Sequence, residues 1–208
     1  MTHSKSFNFF VHQVEVSDIG PRLPFFDSFL QNKKVLHVGC TDWPIFQADN
    51  NLHIKLCERG HHIHGLDVDC DGVENLKKYV DCKFYTSYED IDESYDLILA
   101  PEVIEHTLNP GLFIKDLLSV NCRSMIITAP NAIGHIQQNP KFGFKNVENR
   151  NTYLESVHPD HNCYYSPMTL ANTVMKSIEQ YSTDTWELMM LFVTESSSQL
   201  GCIIGKKN

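Results

Sequence analysis

Three side chains able to hold or take a proton stand within five positions of one another: Glu102, Glu105 and His106, in PEVIEHTLNP. If this stretch forms a helical turn, the i, i+3, i+4 spacing sets all three along one face. An imidazole beside a carboxylate is a general-base arrangement, because histidine titrates near neutrality and the acid orients its ring. His106 is the first candidate base, with Glu102 in the same constellation. His158 and His161, in ESVHPDHN, are rivals for that role, and each also reads as a residue that simply orders a loop. Two upstream positions could hold a nucleoside. Gly39 closes KKVLHVG, and a residue without Cβ lets a ligand approach the backbone. Asp67, in GLDVD and about 28 positions later, is placed to accept both hydroxyls of a ribose if a βαβ unit joins the two.

Those roles need strand ends to carry them, and the hydrophobic pattern supplies strands. Short apolar runs at 34–38, 62–68, 82–86, 95–100 and 124–129 alternate with amphipathic segments at 50–60, 72–80 and 110–120. Asn50 is a candidate N-cap and Gly60 a C′ residue for the first of these helices, and Pro110 suits a first turn. A long polar loop is expected over 130–165. A helix follows, with Ser166 as cap and Pro167 at its first position, and then a hairpin of 185–194 with 199–206. Strand–helix alternation predicts an α/β fold: a Rossmann-like, seven-stranded, doubly wound sheet with an antiparallel C-terminal strand. Residues 1–32 read as an irregular N-terminal extension packing on a domain over 33–208, with PFFDSFL as a short helix.

The composition narrows the class. A chain of 208 residues with 42% hydrophobic and 21% charged residues is expected to form one soluble domain. A net charge of −9 argues against nucleic acid or an anionic membrane as partner. Seven cysteines without C-x-x-C spacing read as reduced thiols in a cytoplasmic protein. No membrane span and no signal-peptide core are recognisable.

VLHVGC, GLDVD, YDLILAPEVIEHTLNPGLF and MIITAPN, taken in order, resemble the successive motifs of class I S-adenosylmethionine-dependent methyltransferases. The match is to the small enzymes of EVxEHxxNP type. HPDHNCYYSPMTL and CTDWP further resemble a bacterial branch associated with cell-surface glycan genes. The first loop departs from the family's D-x-G-x-G-x-G: His37, Gly39, Thr41 and Trp43 stand at those positions, so only one glycine remains. An ordered loop over 40–49 is expected to replace the glycine cradle through Cys40, Thr41, Asp42, Trp43 and backbone amides. Asp42 would meet the cofactor's ammonium group, and backbone N–H groups its carboxylate. The resemblance further implies that Asp67 holds the ribose and Val68 packs the adenine. Ser87 and Tyr88 would stand near the adenine amino group, and Pro101 and Glu102 at the methionine end.

The expected activity is methyl transfer to an oxygen of a small-molecule or glycan acceptor, by a monomer or homodimer. The Glu-x-x-Glu-His trio with a downstream histidine also resembles a metal site in methyltransferases that modify the terminal ribose of small RNAs. Glu102, Glu105, His106 and His161 would there hold a divalent ion. A third reading is a methyltransferase fold that has lost catalysis and serves as a binding module. A nicotinamide dehydrogenase is disfavoured, because no G-x-G-x-x-G follows the first strand.

Overall fold

The computed structural model describes residues 14–132, 143–147, 150–154, 158–194 and 197–207, and for 143–147 and 150–154 the backbone alone. The elements in chain order are β1 (Ser17–Asp18), α1 (Arg22–Leu30), β2 (Lys34–Val38), α2 (Leu52–Glu58), β3 (His62–Leu66), α3 (Cys70–Leu76), β4 (Phe84–Tyr85) and β5 (Tyr95–Pro101). They continue with α4 (Pro110–Ser119), β6 (Cys122–Pro130), β7 (Gly143–Val147), β8 (Arg150–Leu154), α5 (Pro167–Tyr181), β9 (Trp186–Val193) and β10 (Gln199–Lys206).

One eight-stranded sheet runs in the order β1-β9-β10-β6-β5-β2-β3-β4. The predicted seven strands are all present, and β1 adds a two-residue edge beside β9. Every pairing is parallel except the two made by β10, which lies antiparallel between β6 and β9. The order turns back at β2, between β3 and β5, so the crevice of a doubly wound sheet opens at the C-terminal end of β2.

Alternation along the strands feeds a core on each face. Leu36, Val38, Ile98 and Ala100 face one cluster with α4 and α5, through Phe113, Ile114, Leu170 and Val174. Val35, Leu97 and Leu99 face the other, which takes Phe26 and Leu30 from α1 and Leu52 and Leu56 from α2. Within the segment 1–32, the short helix expected at PFFDSFL is present and starts two residues earlier, at Arg22. Pro24 fits in its first turn, where an N–H has no helical acceptor to lose.

Local signals set the other helices. Asn109 caps α4 with Pro110 just inside, and Ser166 with Thr169 forms a capping box on α5 ahead of Met168 and Leu170. The cap of α2 is Asn51 rather than Asn50: its side chain accepts from Ile54 N, and Gly60 takes a positive φ after the helix. The expected polar loop over 130–165 also needs correcting, since β7 and β8 pair as an antiparallel hairpin within it. No helix among the described residues is long and apolar enough to cross a membrane.

Candidate functional site

A cleft of about 350 Å³ lies over the C-terminal ends of β2 and β3. Gly39, Asp67, Val68 and Tyr88, all singled out in the sequence, line it. Gly39 has φ +74°, and a Cβ there would come within 2.3 Å of Val103 Cγ2, so backbone and side chain meet where only glycine fits. Asp67 is held in place before any ligand arrives. Its Oδ2 accepts from Thr41 N at 3.0 Å and Thr41 Oγ1 at 2.8 Å, and its Oδ1 accepts from Asp69 N at 3.0 Å. A carboxylate offers about four acceptor positions. Three of these are taken, so Asp67 has room to accept from one further donor rather than the two expected.

The ordered loop between β2 and α2 is present, and its side chains do different work from that predicted. Thr41 is buried against Asp67, and Cys40 is buried in a small cluster with Ile54 and Leu76. Asp42, at φ +53°, accepts from Asn51 Nδ2, and burial raises its pKa. Trp43 is 40% exposed and lies against the start of α3, its Cβ closing the space beside Gly72. His37 is buried beneath the sheet end, with Nδ1 against His53 Nδ1 at 3.1 Å. Ser87 caps the 3-10 turn Tyr88–Asp90. None of these six lines the cleft.

Residues that the sequence did not single out complete it. Val103, Thr107, Asn109, Leu112, Phe113 and Asp116 line it together with Asp67. Burial, with the charges of Asp116 and Asp67, keeps the Tyr88 hydroxyl protonated, so it is a donor facing two acids. Arg22 of α1 puts its positive charge near both Asp42 and Glu102. Arg22 arrives by the docking of α1, and Leu112, Phe113 and Asp116 by that of α4, whereas Val103, Thr107 and Asn109 lie in the PEVIEHTLNP stretch itself.

The trio at 102–106 is divided by its backbone. The turn is a 3-10 turn over Ile104–His106, and Glu102 precedes it at φ +56°, so the three do not share a helical face. Pro101 is buried at the end of β5. Glu102 turns inward: its Oε1 accepts from Thr128 Oγ1 at 2.9 Å, its N–H reaches Thr128 O at 3.1 Å, and burial raises its pKa. Glu105 is 1% exposed, neither carboxylate oxygen has a hydrogen-bond partner among the described residues, and burial pushes its pKa up to about 8.

His106 instead faces outward and meets the other two histidines. Glu105 O accepts from Asn162 N at 2.7 Å and from Cys163 N at 3.3 Å, and His106 O accepts from Asn162 Nδ2 at 2.8 Å. These bonds clip the 158–163 segment onto the turn. Ring centroids of His106 stand 4.7 Å from His161 and 6.0 Å from His158. One nitrogen from each of the three lies within 4.8 Å of the others, and His106 Nε2 is 3.9 Å from Glu105 Oε1. Burial lowers the pKa of His106 and of His161, so both imidazoles are neutral at neutral pH. Neutral imidazoles over an unpartnered carboxyl group fit either proton abstraction or a divalent ion. Val103 and Thr107, which flank His106 closely in the chain, line the cleft, while none of the three histidines does.

No protein-family model matches the chain, and no curated protein matches it in sequence. Solved structures do match in shape. A chain of the Pnkp1/Rnl/Hen1 RNA repair complex aligns with TM-score 0.56 and 15% identity over 88% of this chain, which spans 40% of that one's length. An S-adenosylmethionine-dependent methyltransferase from Mesorhizobium loti aligns with TM-score 0.53 and 10% identity, over 88% of this chain and 96% of its own. Magnesium protoporphyrin IX methyltransferase from Synechocystis PCC 6803, solved with bound S-adenosylmethionine, aligns with TM-score 0.51 and 15% identity, covering 88% and 73%. With this strand order and these neighbours, the chain has the Rossmann-like fold of S-adenosylmethionine-dependent methyltransferases.

Proposed function

We propose that the protein transfers a methyl group from S-adenosylmethionine to a hydroxyl oxygen of a small-molecule or saccharide acceptor. The observation that carries this reading is the Gly39–Asp67 cleft, two of whose lining residues, Val103 and Thr107, bracket in the chain the His106 that packs against His161. S-Adenosylmethionine, when bound, supplies an already activated methyl group, so the protein's task is alignment and proton removal. In this reading Asp67 accepts a ribose hydroxyl, and Val68 and Phe113 pack against the base. His106, unprotonated, removes the acceptor's hydroxyl proton, with His158 and His161 beside it.

Calorimetric titration with S-adenosylhomocysteine comes first, followed by methyl transfer to a panel of sugars and small alcohols. His106→Asn should keep the affinity for S-adenosylhomocysteine and lower kcat by about 10²–10⁴-fold. Full turnover in the His106, His158 and His161 variants alike would refute histidine base catalysis. Failure to bind S-adenosylhomocysteine would leave a binding module on this fold.

The packing of three imidazoles over buried Glu105 favours a second reading, in which they hold a divalent ion that acidifies a ribose hydroxyl of RNA. The donor set differs from the expected one: Glu102 is engaged with Thr128, and His158 stands in its place. Turnover that survives excess chelator rules this reading out.

A further inference from the structure

A second cluster of metal-ligating side chains lies outside the cleft. His53 and Cys57 stand at i and i+4 on α2 and so share a face. Cys82 reaches them from the link between α3 and β4. One ligand atom from each lies within 4.8 Å of the others, and His53 Nε2 is 3.2 Å from Cys82 Sγ. A tetrahedral ion with sulfur at about 2.3 Å and nitrogen at about 2.0 Å holds two such atoms roughly 3.5 Å apart. The triad already stands near that spacing.

A second observation concerns the other side of the His53 ring. His53 is fully buried, and its Nδ1 faces His37 Nδ1 at 3.1 Å. One of those nitrogens donates and the other accepts. With His53 Nδ1 as donor, the Nε2 lone pair points at Cys82, which is the tautomer a metal requires. Metal-bound histidines characteristically donate their remaining N–H to such an acceptor. Phe84 packs against the His53 ring at 5.2 Å between centroids and further limits its orientation.

We propose that His53, Cys57 and Cys82 bind a soft divalent ion of the zinc class, with His37 fixing the His53 ring. Two thiols and one imidazole suit zinc over magnesium or calcium, which select oxygen ligands. Binding sends the two thiol protons to solvent, and the fourth coordination position is left to water. Cys57 and Cys82 are partly exposed, so the ion enters from their side. Its effect is to tie α2 to the chain entering β4, across two separate βα units.

The test is a Co²⁺ titration of the reduced full chain, followed by displacement with Zn²⁺. The expected signal is thiolate-to-cobalt charge-transfer absorption that saturates at one ion per chain. It should persist in His161→Ala, whose cluster offers no sulfur, and vanish in Cys57→Ser and in Cys82→Ser. His37→Phe should bind the ion about 10–100-fold more weakly. In wild-type protein, Zn²⁺ should shield the partly exposed Cys57 and Cys82 from alkylation while the exposed Cys70 reacts, a readout independent of whether the serine variants fold. Absence of the band, its survival in both serine variants, or alkylation unchanged by Zn²⁺ overturns the proposal. So does a Cys57–Cys82 disulfide in purified protein that takes up no metal after reduction, which would mark the pair as a redox couple.

Discussion

Glu105 is a carboxylic acid kept neutral by its surroundings, with a pKa raised from 4.5 to about 8 by burial first and the charge of Glu102 second. A group whose folded pKa exceeds its unfolded value contributes stability that is complete below the unfolded value and lost as pH rises through the folded one. Glu105→Gln should therefore raise Tm at pH 8 and leave it unchanged near pH 4, while methyl transfer falls. Thermal melts at the two pH values check this, and equal melting at pH 8 would show the carboxylate to be already compensated. His37 runs the other way. Burial holds its pKa well below 6.5, so its contribution is present above pH 6.5 and lost as the solution is acidified from there. Substituting it with phenylalanine should flatten the acid limb of a denaturation-against-pH curve. Gly39 and Asp67 were legible from strand-end position, and Val68 and Tyr88 from the family resemblance. Asp116 and Arg22 were not, since an isolated charge on a helix carries no sign of what it will face.

At the level of elements, the β2 end and the turn after β5 are fitted to each other. Gly39→Ala combines a positive φ with a 2.3 Å approach to Val103 and should cost about 1–3 kcal/mol, with weaker S-adenosylhomocysteine binding. Adding Val103→Ala should recover the steric part and not the backbone part, which a double-mutant cycle resolves. Ser166→Ala removes the capping box of α5 and should cost about 1 kcal/mol without altering ligand affinity. Helices with cap, proline and apolar period were readable to within a residue or two, as Asn51 in place of Asn50 illustrates. The β7–β8 hairpin was not, because GFKNV and RNTYL have neither a steady apolar alternation nor a glycine turn between them. The i, i+3, i+4 argument at 102–106 failed for a related reason. The backbone reverses at Glu102 to place its N–H on Thr128, and the helical turn never starts there.

Across the whole molecule, the sheet divides two cores, and α1 belongs to the second through Phe26 and Leu30, both fully buried. Phe26→Ala should cost about 3–5 kcal/mol, a large part of the stability of a domain this size, and would be read from urea denaturation. The sheet was legible as a whole because its strands announce themselves one by one. The arrival of α1 beneath it depends on contacts that no window of sequence contains. The clip between the turn at 104–106 and the 158–163 segment makes a comparable long-range dependence at the surface. Its bonds join His106 and Asn162, 56 positions apart, outside the sheet that holds the fold. Undocking that strip would disperse the histidine cluster and spare the Gly39–Asp67 cleft. The exchange rate of the Asn162 amide proton thus becomes a gauge of whether the histidine cluster is assembled, separate from whether the protein is folded.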